Sequence, residues 1–225
     1  MSSRLQRFVA RKLTLAAALD AKELDGSYGD AILVVSSVLS SLAAQLWPGP
    51  GIDRVRFAEL WQLYAPPSLH PTAISVPLLI HFLRENGDLA AATALEATNR
   101  DAFSGFPEAD CLVITGPDVD QRDIDILSLC PQLPPRLVRE HSYPAIFYEH
   151  VRSAYVHEYE VGRGASPYAM AFDRSTVSYV NNTPRRHIHF PLQWLDELTR
   201  GVAVSIEPLL ARAPLTQPCQ WWLKP

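Results

Sequence analysis

The chain has few cysteines, no excess of positive charge and no long unbroken apolar run, and each shortage narrows what it can be. Its 225 residues include three cysteines, Cys111, Cys130 and Cys219. They are far apart and form no CxxC pair. Their odd number fits reduced thiols in a cytosol better than a disulfide framework or a zinc knuckle. Lys and Arg total 20 against 24 Asp and Glu, so the net charge is −4 and the isoelectric point about 6.0. A domain that grips nucleic acid through broad electrostatics is usually basic. Any such role here must use a local cluster, and the basic residues do gather, at Arg4–Lys12, Arg136–Arg139 and Arg185–Arg186. The most apolar run, Ala31 to Leu46, holds five serines or glutamines in 16 residues. That is short of the roughly 20 residues of a membrane span, so a buried helix and no membrane association are expected. The basic start, Met1-Ser-Ser-Arg-Leu-Gln-Arg7, lacks the apolar core and small-residue cleavage site of a signal peptide, which points to a cytoplasmic location. Repeats, low-complexity blocks and the strand–helix alternation of a parallel sheet are all missing.

What is present is helical periodicity. Leu5, Phe8, Val9, Leu13, Leu15, Ala16 and Leu19 repeat at helical spacing, with Arg4, Arg7, Arg11 and Lys12 on other faces. A second helix over 31–46 is apolar on most sides and belongs in the centre; Trp47-Pro-Gly-Pro-Gly51 ends it. Further helices are predicted over 54–64 with Asp53 as N-cap, and over 74–84, 89–99, 118–129, 142–159 and 192–210. Residues 100–117 read as an extended insertion or lid, 131–135 as a proline-rich connector, 172–190 as a β-hairpin around Asn181-Asn182-Thr-Pro184, and 213–225 as a proline-rich tail. The expected fold is mainly α: one domain over 1–225, a helical bundle with a small β-hairpin near the C-terminus.

Chemistry concentrates in Tyr148-Glu-His-Val-Arg152-Ser-Ala-Tyr-Val-His157-Glu-Tyr159. An imidazole moves protons near neutral pH and a guanidinium holds phosphate, so Arg152 and His157 are the candidate catalytic pair for metal-free phosphodiester cleavage. On a regular helix the two lie about 140° apart, so one helix alone is a poor site. Glu149, Ser153 and His157 would form a polar stripe beside Arg152, and Tyr148, Arg152, Tyr155 and Tyr159 a neighbouring face. Both patterns also suit a capped or paired His157 and core tyrosines. His187-Ile-His189 puts two imidazoles on one strand face, but no carboxylate or thiol stands at short spacing, so Arg185, Arg186, His187 and His189 are read as a phosphate-contacting hairpin and not as a metal site. Asp118, Asp120, Asp123 and Asp125 lack the spacing of a calcium loop and are read as an acidic first turn.

The run Phe147-Tyr-Glu-His-Val-Arg152-Ser-Ala-Tyr-Val-His157-Glu-Tyr159, followed by a glycine turn, resembles the R-x4-6-H signature of the HEPN superfamily. The resemblance is closest over 141–160 and looser elsewhere, in residues 29–46, in Ile52-Asp-Arg-Val-Arg-Phe-Ala-Glu-Leu60 and in His187-Ile-His-Phe-Pro-Leu192. It implies a metal-independent endoribonuclease without a cofactor, acting as a homodimer on RNA in bacterial defence or toxin–antitoxin biology, with two Arg152 and two His157 in one composite site supported by Glu149, Ser153 and Tyr159. The His-x-Tyr extension matches members whose tyrosine is adenylylated by a nucleotidyltransferase partner, which would make Tyr159 a modification site; a tyrosine packed in the core is the other use for that position. Ser153 stands where many active members carry Asn, Asp or His. A catalytically silent HEPN-like module that binds RNA, a nucleotide or a protein partner is therefore the alternative.

Overall fold

Ser3 and Ser27 open the first two helices in the same way, by turning a hydroxyl onto amides that have no partner inside the helix. Ser3 accepts from the Gln6 N–H (3.1 Å) at the start of α1 (Arg4–Asp20). Ser27 and Asp30 form a reciprocal capping box on α2 (Tyr28–Leu46). The structure, a computed structural model, describes residues 3–99, 113–162, 164–167, 175–182, 185–210, 212 and 214–223. With its capped first turn α2 is 19 residues long, three more than the apolar run, and by length and apolarity it could cross a membrane. Here it is the central helix, packed against α1, α3 (Asp53–Tyr64) and α11 (Leu192–Leu210). Asp53, expected as the cap of α3, is its first helical residue and pairs with Arg56. Ser75 and Asp88 cap α4 (Val76–Glu85) and α5 (Leu89–Thr98).

The middle of the chain differs from expectation. β1 (Val113–Thr115) comes from the stretch read as an insertion and joins β2 (Ser178–Asn182) and β3 (Arg185–His189) in an antiparallel sheet of order β1-β2-β3, with Thr115 opposite Ser178 and Ser178 opposite His189. The expected hairpin is thus two strands of three. The remainder of that insertion, 100–112, and residues 172–174 of the expected hairpin lie outside the described residues. Instead of one helix over 118–129 there are two, α6 (Gly116–Val119) and α7 (Asp123–Leu129). Between them the Gln121 carbonyl accepts from the Ile74 N–H (2.8 Å), which holds this stretch extended. The proline connector runs into a short helix, α8 (Pro135–Glu140), because proline suits a first helical position where no amide bond is lost. The last long segment is α9 (Tyr143–Ile146), a π-helical stretch (Phe147–Ser153) and α10 (Ala154–Glu158) in direct succession.

An aromatic cluster fastens these parts together. Phe147 stacks on Phe57 of α3 (6.1 Å, planes 5° apart), packs against Trp61 (5.4 Å), and meets Phe190 edge-on (5.3 Å) just past β3. Trp61 and Phe190 in turn touch Trp194 of α11. The described part of the proline-rich tail is pinned rather than free: Trp221 meets Trp47 edge-on (5.7 Å), and the Leu215 and Trp222 amides donate to the Leu46 carbonyl and the Glu59 carboxylate. Phe147 is fully enclosed, and truncating such a ring costs about 3–5 kcal/mol. Phe147→Ala is accordingly expected to destabilise the fold by that much in urea unfolding, whereas Leu63→Ala on exposed helix surface changes stability little.

Candidate functional site

The helix that carries Arg152 and His157 is not regular. Over Phe147–Ser153 it widens to π-helical pairing, a rare form that concentrates at functional sites. Within that stretch the His150 carbonyl accepts a bond from the Gly162 N–H (2.7 Å), from chain that has doubled back past the helix end. Gly162 suits that approach, since a Cβ there would crowd the His150 Cα at 3.0 Å. The helix stops at Glu158, before the glycines expected to end it, because Tyr159 turns into the left-handed region (φ 56°) and donates its hydroxyl to Asp30 in the first turn of α2. One turn earlier, Tyr155 lies against Gly29, where a Cβ would come within 2.6 Å of the ring. The end of the motif helix is therefore docked on the start of α2.

This geometry rearranges the expected faces. Tyr148 and Arg152 do meet: the guanidinium lies 4.9 Å from the ring centroid, and Arg152 has no carboxylate partner among the described residues. Tyr155, however, is buried and Tyr159 is 57% exposed, so the four do not share a surface, and Tyr159 is not a core tyrosine. Glu149 has left the expected stripe for an ion pair with Arg54 (3.3 Å), which also binds Glu140. Ser153 is half-buried and caps nothing. His157 is exposed and has no hydrogen bond or ion pair among the described residues, and its neighbour Val156 is 49% exposed. His150, which the sequence does not single out, is partly enclosed, and burial holds its pKa below the ordinary imidazole value.

The hairpin residues fare differently. His189 is 1% exposed; its Nδ1 lies 3.0 Å from the Ser166 carbonyl oxygen and its ring 5.2 Å from Tyr28. It is a core residue, not one that faces RNA, because Tyr28 and the Ser166 backbone close over the face of the strand that carries it. His187 is half-buried. Arg185 and Arg186 stand in β3 opposite Asn182 and Asn181. The aspartates also separate. Asp118 accepts from Thr115, Asp123 pairs with Arg139 and Asp125 with Arg122, and no His, Cys, Asp and Glu group suited to a metal exists among the described residues.

No protein-family model, curated protein or solved structure matches this chain.

A second polar centre, invisible in the sequence, forms around Asp120. Its carboxylate accepts the hydroxyls of Tyr143 (2.5 Å) and Tyr179 (2.6 Å) and the Val76 amide (3.1 Å), so one side chain joins the first turn of the motif helix, the sheet and the start of α4. Gly116 makes room, for a Cβ there would strike the Tyr143 hydroxyl at 2.1 Å. Asp120 borders a cavity of about 490 Å³ lined also by His70, Gln121, Arg122, Thr176 and Trp194. Although the residue edges this space, its carboxyl group is enclosed, and burial pushes its pKa up to about 7 against the three hydrogen bonds, which favour the ionised form. A carboxyl whose folded pKa is raised gives stability that is complete below the unfolded value near 4 and disappears as pH rises through about 7. Burial lowers the pKa of His141, His150 and His189, which acts in the opposite sense. The difference in melting temperature between wild type and Asp120→Asn separates the two effects. That difference is expected to shift against the wild type between pH 5 and pH 8; a difference constant across this range rules the assignment out.

Proposed function

We propose that the chain is a metal-independent endoribonuclease of HEPN type that works as a homodimer, with Arg152 and His157 as its reacting groups. One observation supports the reading: among the described residues, neither side chain takes a carboxylate or carbonyl partner. A structural arginine in this molecule takes a carboxylate, as Arg54, Arg139 and Arg200 do. Among the described residues Arg152 has only the face of Tyr148, which orients the guanidinium without neutralising it. A structural histidine takes a carbonyl, as His141 and His189 do. His157 takes none among the described residues and stands beside the exposed Val156 and Tyr159, an apolar rim that a second copy would cover.

The chemistry follows from those groups. One His157 removes the proton from a ribose 2′-hydroxyl as its oxygen attacks the adjacent phosphorus. The His157 of the second copy gives a proton to the departing 5′-oxygen, and the paired Arg152 side chains hold the charge that grows on the non-bridging oxygens. The products are a 2′,3′-cyclic phosphate and a 5′-hydroxyl, so DNA, which has no 2′-hydroxyl, is not a substrate. The adenylylation reading of Tyr159 is supported only by its exposure, since its hydroxyl is held by Asp30 and would have to be released first.

Purified protein is expected to cut RNA in the presence of EDTA. His157→Ala should lower the rate at least about 100-fold, as loss of an acid–base group does, with an unchanged melting temperature and an unchanged dimer by light scattering. A strictly monomeric protein, or RNA left intact by the wild type, defeats the proposal. Tyr148→Leu is expected to slow cleavage less than Arg152→Ala, because it removes the support of the guanidinium and not the charge.

A further inference from the structure

The solvent face of α1 carries three cations, Arg4, Arg11 and Lys12, that pair with no carboxylate among the described residues. Val9, Leu13 and Ala16 bury the other side of this helix against the bundle. Arg4, Phe8, Arg11 and Leu15 fall within about 60° of one another on the exposed side, with Arg7 and Lys12 at the margins. No acidic residue occurs in α1 before Asp20. Arg54, Arg56, Arg84, Arg122, Arg139 and Arg200 each pair with a carboxylate, whereas Arg4, Arg11 and Lys12 pair with none among the described residues. Lys12 instead lies over the Phe8 ring (5.9 Å), itself 45% exposed. Helix stability does not explain Arg4, because a cation in the first turn opposes the helix dipole.

We infer that this face of α1 is a docking surface for the phosphate backbone of single-stranded RNA, with Phe8 offering its ring to a base. The choice of RNA rests on the ribonuclease reading; the polyanion character of the ligand rests on the charges alone. Phosphates supply the negative partner that Arg4, Arg11 and Lys12 lack, and an exposed aromatic among cations is the arrangement that binds single strands by stacking between electrostatic contacts. An anionic membrane fits less well. A helix lying in a lipid interface buries a continuous apolar face, and the apolar face of α1 is already spent on the core, leaving only Phe8 and Leu15 outside. The surface also has a fixed relation to the motif helix, since α1 and the end of that helix both pack on α2.

The test uses the full chain carrying His157→Ala, so that a labelled mixed-sequence RNA of about 20 nucleotides stays intact. Its binding is followed by fluorescence anisotropy between about 50 and 200 mM salt. Adding Arg4→Gln, Arg11→Gln and Lys12→Gln is expected to weaken binding at least about tenfold. The same triple change should reduce the slope of log K against log salt by about two, near 0.7 for each phosphate that is no longer neutralised. Phe8→Ala should weaken binding at least about fivefold with little change in slope. All four positions are exposed, so melting temperatures should match and folding is not a confounder. The inference is overturned if the triple variant binds with unchanged affinity and slope, if the parent binds no RNA, or if the three cations govern binding to phosphatidylserine vesicles instead. Cleavage is measured separately on the wild type. Binding that depends on α1 without any cleavage would leave this surface standing and remove the nuclease reading.

Discussion

The buried face of the motif helix is the constraint on which the rest of the molecule depends. Tyr143, Phe147, Val151 and Tyr155 follow one another at intervals of four, and all are buried. Phe147 reaches the aromatic residues of α3 and the residue that follows β3, so a shift of this helix along its axis would disturb the bundle and the sheet together. Close-packed interiors resist such shifts, because even a small displacement opens gaps on one side and clashes on the other. At the far end Tyr155 fills the space that Gly29 leaves, and Tyr159 reaches Asp30. The helix is thereby fixed at both ends and along one side. Arg152 and His157 project from a framework that cannot easily adjust to them, which is the condition an oriented reactive group requires.

Polar contacts complete what the aromatic cluster begins. Asp120 collects two tyrosine hydroxyls and a backbone amide where the motif helix, the sheet and α4 converge. A buried carboxylate is costly unless it is hydrogen-bonded, and its bonds are directional. The aromatic rings supply most of the burial and tolerate small rotations. Asp120 specifies one register, since its Oδ2 receives both hydroxyls only when Tyr143 and Tyr179 point inward, while Oδ1 takes the Val76 amide. Glu59 plays a related part at the tail: burial raises its pKa, and the Trp222 amide bonds to it, which holds the C-terminal strap against α3.

How much of this could be read from the sequence depended on the range of the interactions. Local rules located α2 and α11 well, since apolar spacing and the glycine–proline break after Trp47 are written in neighbouring residues. They failed where the decisive partner is distant. Asp120 looked like one acidic residue in a first turn because Tyr143 and Tyr179 stand 23 and 59 residues further on. The π-helical stretch was equally hidden, being coupled to a Gly162 amide beyond the helix end. His189 shares a strand face with His187, as an exposed pair would, yet Tyr28 covers it. The pair Arg152 and His157 was legible by residue type alone. What the sequence could not convey is that Glu149 and Tyr159 would be engaged while, among the described residues, Arg152 takes no carboxylate and His157 no hydrogen bond.

That contrast bears on how an acidic chain could handle a polyanion. Charges separated by more than about 8–10 Å through water are largely screened at physiological salt, so the net charge of −4 says little about the field over any one helix. What counts is which cations are already neutralised at short range. Arg54, Arg84, Arg122, Arg136, Arg139 and Arg200 are so neutralised. Among the described residues, Arg4, Arg11 and Lys12 on α1 and Arg152 on the motif helix are not. Among the described residues, local positive potential thus survives on α1 and beside Arg152, surfaces that share α2 as a support, the first proposed to hold a phosphate chain and the second to act on it. Adding lysines elsewhere would change the isoelectric point without changing either surface, while placing a carboxylate one turn from Arg11 would weaken the local field although it alters the net charge by a single unit.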